Sequence, residues 1–244
     1  FEAAELAGVW KLGKLIYIFD DNNISIDGSV DKVSITDQKK KFESFGWQVL
    51  EVDGHNEIEI KNAIDLSKEE TNKPSLIIAK STIGKFSPNK QNTSSIHGAP
   101  LGNEEMELFF DEIGWKGDPF EHSGDVYDYF AEKRSEDNKS FEKWNLNLKS
   151  KLKNDESFKK LWEQFVKNEI NSPENFEIQE AATRVTGGNY LKLIGLENKF
   201  VLGGSADLAA STKQIISEES YTSENRHGQN IEFGIREHSM AAVI

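Results

Sequence analysis

The run Asp20-Asp21-Asn22-Asn23-Ile24-Ser25-Ile26-Asp27-Gly28 concentrates oxygen ligands in a stretch with little bulk. It follows Leu15-Ile16-Tyr17-Ile18-Phe19, an apolar run that reads as a buried strand of a parallel sheet. Open α/β sheets bind ligands just beyond the carboxyl ends of such strands. A hard cation such as Mg²⁺, held beside a phosphate, suits this loop. An Asn side-chain oxygen and a backbone carbonyl two residues on can reach one cation, which favours Asn22 and Ile24. The calcium-loop pattern is excluded, because Ile24 stands where an oxygen side chain is required. A plain Asx turn after a strand accounts for the same residues.

Three other stretches carry chemistry-bearing groups. His97-Gly98-Ala99-Pro100-Leu101-Gly102 places a His on a turn that a ligand can approach, where it can donate to a phosphate or shuttle a proton. The other reading is a surface His on a loop. Ser87-Pro88-Asn89-Lys90, upstream, reads as a flexible lid or an ordinary loop. Gly204-Ser205-Ala206-Asp207, with Ser211, follows a strand and offers amides and hydroxyls to a phosphate. It also reads as a tight strand-to-helix connection. Arg184, on the preceding helix, suits a phosphate clamp or a solvent-facing role. Glu237 opens a helix beside His238, where the helix dipole favours a carboxylate. An ordinary first-turn Glu looks the same.

The elements that position these residues follow a βαβα rhythm. Thr36-Asp37 caps a helix through Phe42 and Phe45 that stops at Gly46. Trp47 to Val52 reads as a strand, Asp53-Gly54-His55 as a turn, and Ile60, Ala63, Ile64 and Ser67 as one helix face. Pro74 to Ala79 reads as a further strand. The expectation is a parallel sheet with helices on its faces. From Asn103 to about Ile170 charges dominate, which points to solvated helices leading to a linker at Asn171-Ser172-Pro173. A second α/β pattern follows. It has a helix with Ala181, Ala182 and Val185 interrupted by Gly187-Gly188, strands Phe200 to Leu202 and Asn230 to Phe233, and a final helix opened by Gly234 to Glu237.

Composition sets outer limits. The 244 residues carry a formal net charge of −13, which argues against nucleic acid or an anionic membrane as the main partner. Cys is absent, which excludes disulfides, a thiol nucleophile and a zinc-thiolate site. No apolar run approaches the roughly 20 residues that span a membrane. The expectation is a soluble, cytoplasmic protein. Phe1 to Ala7 already reads as helix interior without an N-cap, and Glu237 to Ile244 as a helix stopping in mid-run. The sequence therefore reads as an excerpt of a longer chain.

Taken in order, these motifs resemble transketolase. The resemblance rests on Leu6-Ala7-Gly8, Lys11 to Leu15, Asp20 to Gly28, Ser87 to Lys90, His97 to Gly102, Gly203 to Leu208 and Gly234-Ile235-Arg236-Glu237-His238. It implies an α/β, parallel-sheet thiamine-diphosphate-binding fold, with parts of two α/β domains joined by a helical linker. Residues 1–150 would be the C-terminal part of the diphosphate-binding domain, 151–176 the linker, and 177–244 the start of the pyrimidine-binding domain.

It also implies a homodimeric transferase of the pentose phosphate pathway. Such an enzyme moves a two-carbon ketol unit from a ketose phosphate to an aldose phosphate through carbanion and enamine chemistry of thiamine diphosphate. On this resemblance Asn22, by its side chain, and Ile24, by its carbonyl, bind Mg²⁺ (or Ca²⁺). Ile26 packs on the thiazolium, and His97 contacts the diphosphate and the reacting sugar. Arg184 and Ser211 hold the substrate phosphate, Asp207 lies near the cofactor at the dimer interface, and Glu237 bonds the aminopyrimidine. Glu237 and His97 are the catalytic pair.

The chain departs from the family pattern in places. The Gly-Asp-Gly loop that supplies an Asp ligand would lie before Phe1. Lys85-Phe86 replaces the usual aromatic-Gly pair, and Ser94 stands where a His is common. With Asn22 and Glu237 serving different active sites, the 244-residue piece is expected to be inactive alone. Two alternatives are a deoxyxylulose-phosphate-synthase-like enzyme, which shares the Gly-Ile-Arg-Glu-His stretch, and a non-catalytic transketolase-like protein. His97 to Leu101 and Gly204 to Leu208 favour transketolase over the first, and intact Asn22, His97 and Glu237 argue against the second.

Overall fold

Ser75 to Lys80 is extended because Leu76, Ile77, Ile78 and Ala79 are apolar and buried on both sides. In this computed structural model, which describes residues 1–178 and 180–243, that strand is β5, the middle of a three-stranded sheet ordered β1-β5-β4. Its partners β1 (Ile16–Asp21) and β4 (Gln48–Asp53) both run parallel to it. The register is level at the carboxyl edge, with Asp21 and Asp53 each opposite Lys80.

Helices cover both faces, as the βαβα rhythm requires. On one side α1 (Glu2–Val9) and α2 (Gln38–Ser44) pack Ala7, Trp47, Leu76 and Ile78 into a core joined by Phe42 and Phe45. Trp47 Nε1 donates to the Ala4 carbonyl at 2.7 Å, which satisfies its polar edge inside that core. Gly8 lets α1 lie against the Phe45 carbonyl, where a Cβ would sit 1.7 Å from the oxygen. On the other side α3 (Glu57–Glu69) packs Ala63, Ile60 and Ile64 against Val52, Ile77 and Ala79. Short β2 (Ile24–Ser25) and β3 (Gly28–Ser29) form an antiparallel hairpin after β1. The reading of β1 as a buried strand does not hold here. Tyr17, Ile18 and Phe19 are exposed, because β1 has one strand neighbour among the described residues.

After α4 (Asn103–Ile113) come α5 (Gly124–Asn154), which runs unbroken through residue 150, and α6 (Glu156–Lys167). Neither has a buried residue, as expected of solvated, charge-rich helices. Then follow α7 (Thr183–Glu197), β6 (Gly203–Ser205), α8 (Ala209–Thr212), β7 (Asn230–Glu232) and α9 (Glu237–Val243). Parallel β6 and β7 pair Ser205 with Glu232. The chain forms two compact units, Phe1–Lys116 with Thr222–Glu224, and Gly117–Tyr221 with Asn225–Ile244. Among the described residues no helix is long and apolar enough to cross a membrane. Gln179, inside the 177–244 segment, and Ile244, the expected end of the last helix, lie outside the described residues.

Three expectations change. Ala181 precedes α7, and Ala182 is its N-cap. Gly187-Gly188 does not interrupt α7, which continues to Glu197. A Cβ at Gly188 would lie 2.6 Å from the Lys213 carbonyl, so the glycine is there for close packing and not as a breaker. The next strand starts at Gly203, after Phe200-Val201-Leu202, where β7 offers its pairing edge.

Asn198 closes α7 and ties the connecting stretch to it. It is fully buried. Its Oδ1 accepts from Gln164 Nε2 at 2.9 Å and Asn171 N at 2.8 Å, and its Nδ2 donates to the Asn171 and Ile194 carbonyls. Asn198→Ala leaves those groups unpaired in the interior. It should cost about 2 kcal/mol and lower Tm by roughly 5 °C, read by calorimetry. An unchanged Tm would remove the bonds from the stability of this unit.

Candidate functional site

The acidic loop begins inside β1, and its carboxylates are engaged. Asp20 accepts from the Ser81 hydroxyl, and Asp21 pairs with Lys80, both partners standing at the end of β5. Asp20 Oδ2 also receives Asn22 Nδ2 at 3.4 Å. Asn22 Oδ1 accepts from Ile24 N at 3.0 Å, an Asx turn. Asn23 takes φ 57° and Gly28 φ 122°, which close the hairpin. Ile26 sits at its tip, 70% exposed. The turn therefore brings Asn22, Ile24 and Ile26 together beyond the carboxyl end of β1.

A cation can be tested against this donor set. Among the described residues no group of three His, Cys, Asp or Glu side chains is placed to hold a metal. The Asn22 amide oxygen and the Ile24 carbonyl are hard ligands of the type Mg²⁺ accepts, and Mg²⁺ usually completes its shell with phosphate oxygens and water. The fit is to a metal carried with a phosphorylated ligand.

His97 follows a 3₁₀ turn, Ser94–Ile96, and is half-buried, with its N–H donating to the Ser94 carbonyl at 3.1 Å. Two groups that the sequence reading left out take part in the first unit's loops. His55 Nε2 accepts from Thr82 N at 2.9 Å, which places the ring proton on Nδ1. With Asp20, Ser81 and Gly84 it lines a cavity of about 480 Å³ at the carboxyl ends of β1, β4 and β5. The signal was a His two residues after a strand, in a stretch read only as a turn.

The second group is Glu105, 6% exposed, in the first turn of α4. It accepts from the Ser87 hydroxyl, from Asn89 N at 2.8 Å and from Asn89 Nδ2 at 3.1 Å. The Ser87-Pro88-Asn89-Lys90 stretch is thus a pinned loop. At Phe86, where the resemblance puts a glycine, the backbone still takes φ 72°.

In the second unit, Asp207 lies two residues beyond β6 and Glu237 five beyond β7, both exposed. Because these strands are parallel partners, both residues leave from the same carboxyl edge. Gly204 sits where a Cβ would lie 2.3 Å from the Ile231 carbonyl, so the two strands approach closely there. Glu237 is the first residue of α9, and Gly234, at φ 64°, belongs to the turn before it. Arg184, in the first turn of α7, and Ser211, on α8, are exposed on two helices that pack together.

Residues 1–171 match the family described as transketolase, thiamine diphosphate binding domain. The chain is similar to the transketolase of Bacillus subtilis, 37% identical over 256 residues, covering 100% of this chain and 38% of that protein. It is similar to transketolase 1 of Escherichia coli, at 35% identity, covering 99% and 38%. Among solved structures it resembles a Pichia stipitis transketolase in complex with sedoheptulose 7-phosphate. That match has a TM-score of 0.88 and 32% identity and covers 99% of this chain and 38% of the other. The chain spans about 38% of the length of the curated relatives it matches.

The Ser87 hydroxyl, followed by the Asn89 N–H, holds the Glu105 carboxyl below its ordinary value of 4.5. A carboxyl lowered on folding stabilises the fold while ionised. The contribution is complete above the unfolded value and is lost as pH falls through the folded one. Glu105→Gln should therefore lower Tm at pH 7. The gap from the parent should close as a calorimetric series descends from pH 5 to pH 3. A gap independent of pH would mean that the charge is immaterial.

Proposed function

The chain belongs to the transketolase family and carries its thiamine-diphosphate-binding domain, and from that premise we propose that it is part of an enzyme transferring a two-carbon ketol unit from a ketose phosphate to an aldose phosphate. The observation that carries the reading is the Asn22 turn, fixed beyond the carboxyl end of β1 within the matched domain. Sugar-phosphate substrates are supported by the Pichia stipitis relative, whose structure contains sedoheptulose 7-phosphate.

In this reading residues 1–150 contribute to the diphosphate-binding domain, 151–176 link, and 177–244 begin the pyrimidine-binding domain. Asn22 and Ile24 hold Mg²⁺ and, through it, the diphosphate. When bound, thiamine diphosphate supplies a nucleophilic carbon and an electron sink for carbon–carbon cleavage. Ile26 presents an apolar side chain to the thiazolium. Glu237, at the start of α9, hydrogen-bonds a ring nitrogen of the aminopyrimidine. His97 donates to the diphosphate and to the reacting sugar oxygen. Arg184 and Ser211 grip the substrate phosphate. Asp207 lies near the cofactor where two copies meet. The protein acts as a cytoplasmic homodimer, Asn22 and Glu237 of one chain serve different active sites, and the 244-residue segment by itself is inactive.

The test uses a protein carrying this chain together with the segments by which its relatives exceed it. Given thiamine diphosphate, Mg²⁺, xylulose 5-phosphate and ribose 5-phosphate, it should form sedoheptulose 7-phosphate. Glu237→Ala should lower turnover at least 10²-fold, a rough figure for a lost proton-handling group, with circular dichroism unchanged. Asn22→Ala should raise the Mg²⁺ concentration for half-maximal activity about tenfold. Full activity in Glu237→Ala would sink that role. Consumption of pyruvate without ketol transfer would replace the substrate assignment.

A further inference from the structure

Between β5 and α4 the chain runs for more than twenty residues without a strand or α-helix, yet it carries His97. Phe86 and Asn92, both non-glycine residues at positive φ, mark a backbone that leaves the ordinary regions. Such conformations persist only where surrounding contacts over-determine them. Three contacts do this. Glu105 takes three donors from Ser87 and Asn89. Lys90 Nζ donates to the Leu101 carbonyl at 2.6 Å, tying the pinned stretch to the far side of the His97 turn. Ile96, next to His97, packs on Gly84, where a Cβ would lie 2.0 Å from its Cδ1. The pinned stretch is therefore tied to the His97 turn through Lys90, and Ile96 seats the same turn on Gly84.

We propose that Glu105 is a positioning residue for His97, acting through Ser87, Asn89 and Lys90. Part of its test rests on the reading that His97 touches the reacting sugar, and part does not. The carboxylate is the right group because all the hydrogens converging on it are donated to it. An amide at 105 would turn one acceptor into a donor facing a donor. The neighbouring Glu104 is exposed and supplies the control.

The independent readout is the His97 ring in ¹H–¹⁵N spectra of the chain, assigned by its loss in His97→Ala. Glu105→Gln should move the His97 signals and leave those of His122 and His227 in place, and Glu104→Gln should move none of them. If Glu105→Gln does not fold, Asn89→Ala, which removes one donor at an exposed position, takes its place. Unchanged His97 signals, or equal shifts in all the histidines, overturn the proposal whatever the enzyme does.

In the active protein, Glu105→Gln should lower kcat for ketol transfer by about tenfold. Adding it to His97→Ala should change the rate by less than about twofold, because one residue acts through the other. Losses that multiply overturn the proposal. An active His97→Ala with moved ring signals in Glu105→Gln would instead overturn the role of His97 and leave the positioning intact.

Discussion

Parallel pairing of β5 with both neighbours in one register is the constraint on which the first unit depends. It sets Asp21, Lys80 and Asp53 level. The three loops that follow must then leave from one edge, and they carry Asn22, His55 and Ser81. Slipping either pair by one residue would turn every side chain to the other face and break both cores at once. The hydrophobic faces of β5 thus fix polar geometry that they never touch. Asp20 and Asp21, acidic residues beside each other, are held in place by Ser81 and Lys80 across the same edge.

Beyond that edge, regular pairing ends and side chains take over. The segment from Ser81 to Gly102 has little secondary structure of its own, so its shape comes from a few polar contacts. A buried carboxylate is costly unless its oxygens are filled by donors. Glu105 meets that condition with Ser87 and Asn89. Conversely, Ser87 is fully buried and needs an acceptor there. Each side of the clamp makes the burial of the other tolerable, so an apolar substitute on either side would strand a polar group.

Much of this was legible in the sequence where the cause is local. Asp37 caps α2, its side chain accepting from Lys40 N at 3.0 Å, and Gly46 ends that segment at φ 82°. The apolar runs gave β1, β4 and β5 to within two residues, whereas the run Phe200 to Leu202 fell three residues short of β6. What was not legible depends on distant packing. Gly187-Gly188 looked like a helix break, because the Lys213 carbonyl that needs the space at Gly188 arrives from 25 residues away. Phe86 keeps a left-handed backbone that its own side chain disfavours, since the surrounding loop dictates it. Glu105 looked like any first-turn Glu. Its partners lie 16 and 18 residues upstream, and no periodicity announces them.

Asn22 shows why two readings of one motif need not compete. A carbonyl oxygen has two lone pairs. The Asx turn uses one, taking the Ile24 N–H. The amide nitrogen is spent on Asp20, which fixes the direction in which the oxygen faces. Asp20 is in turn held by Ser81 at the end of β5. A chain of two hydrogen bonds therefore runs from the end of the central strand to the amide whose oxygen is proposed to meet the metal. The turn that looked like an alternative to cation binding is what would orient the ligand, and the same bond that closes the loop leaves the second lone pair for the cation.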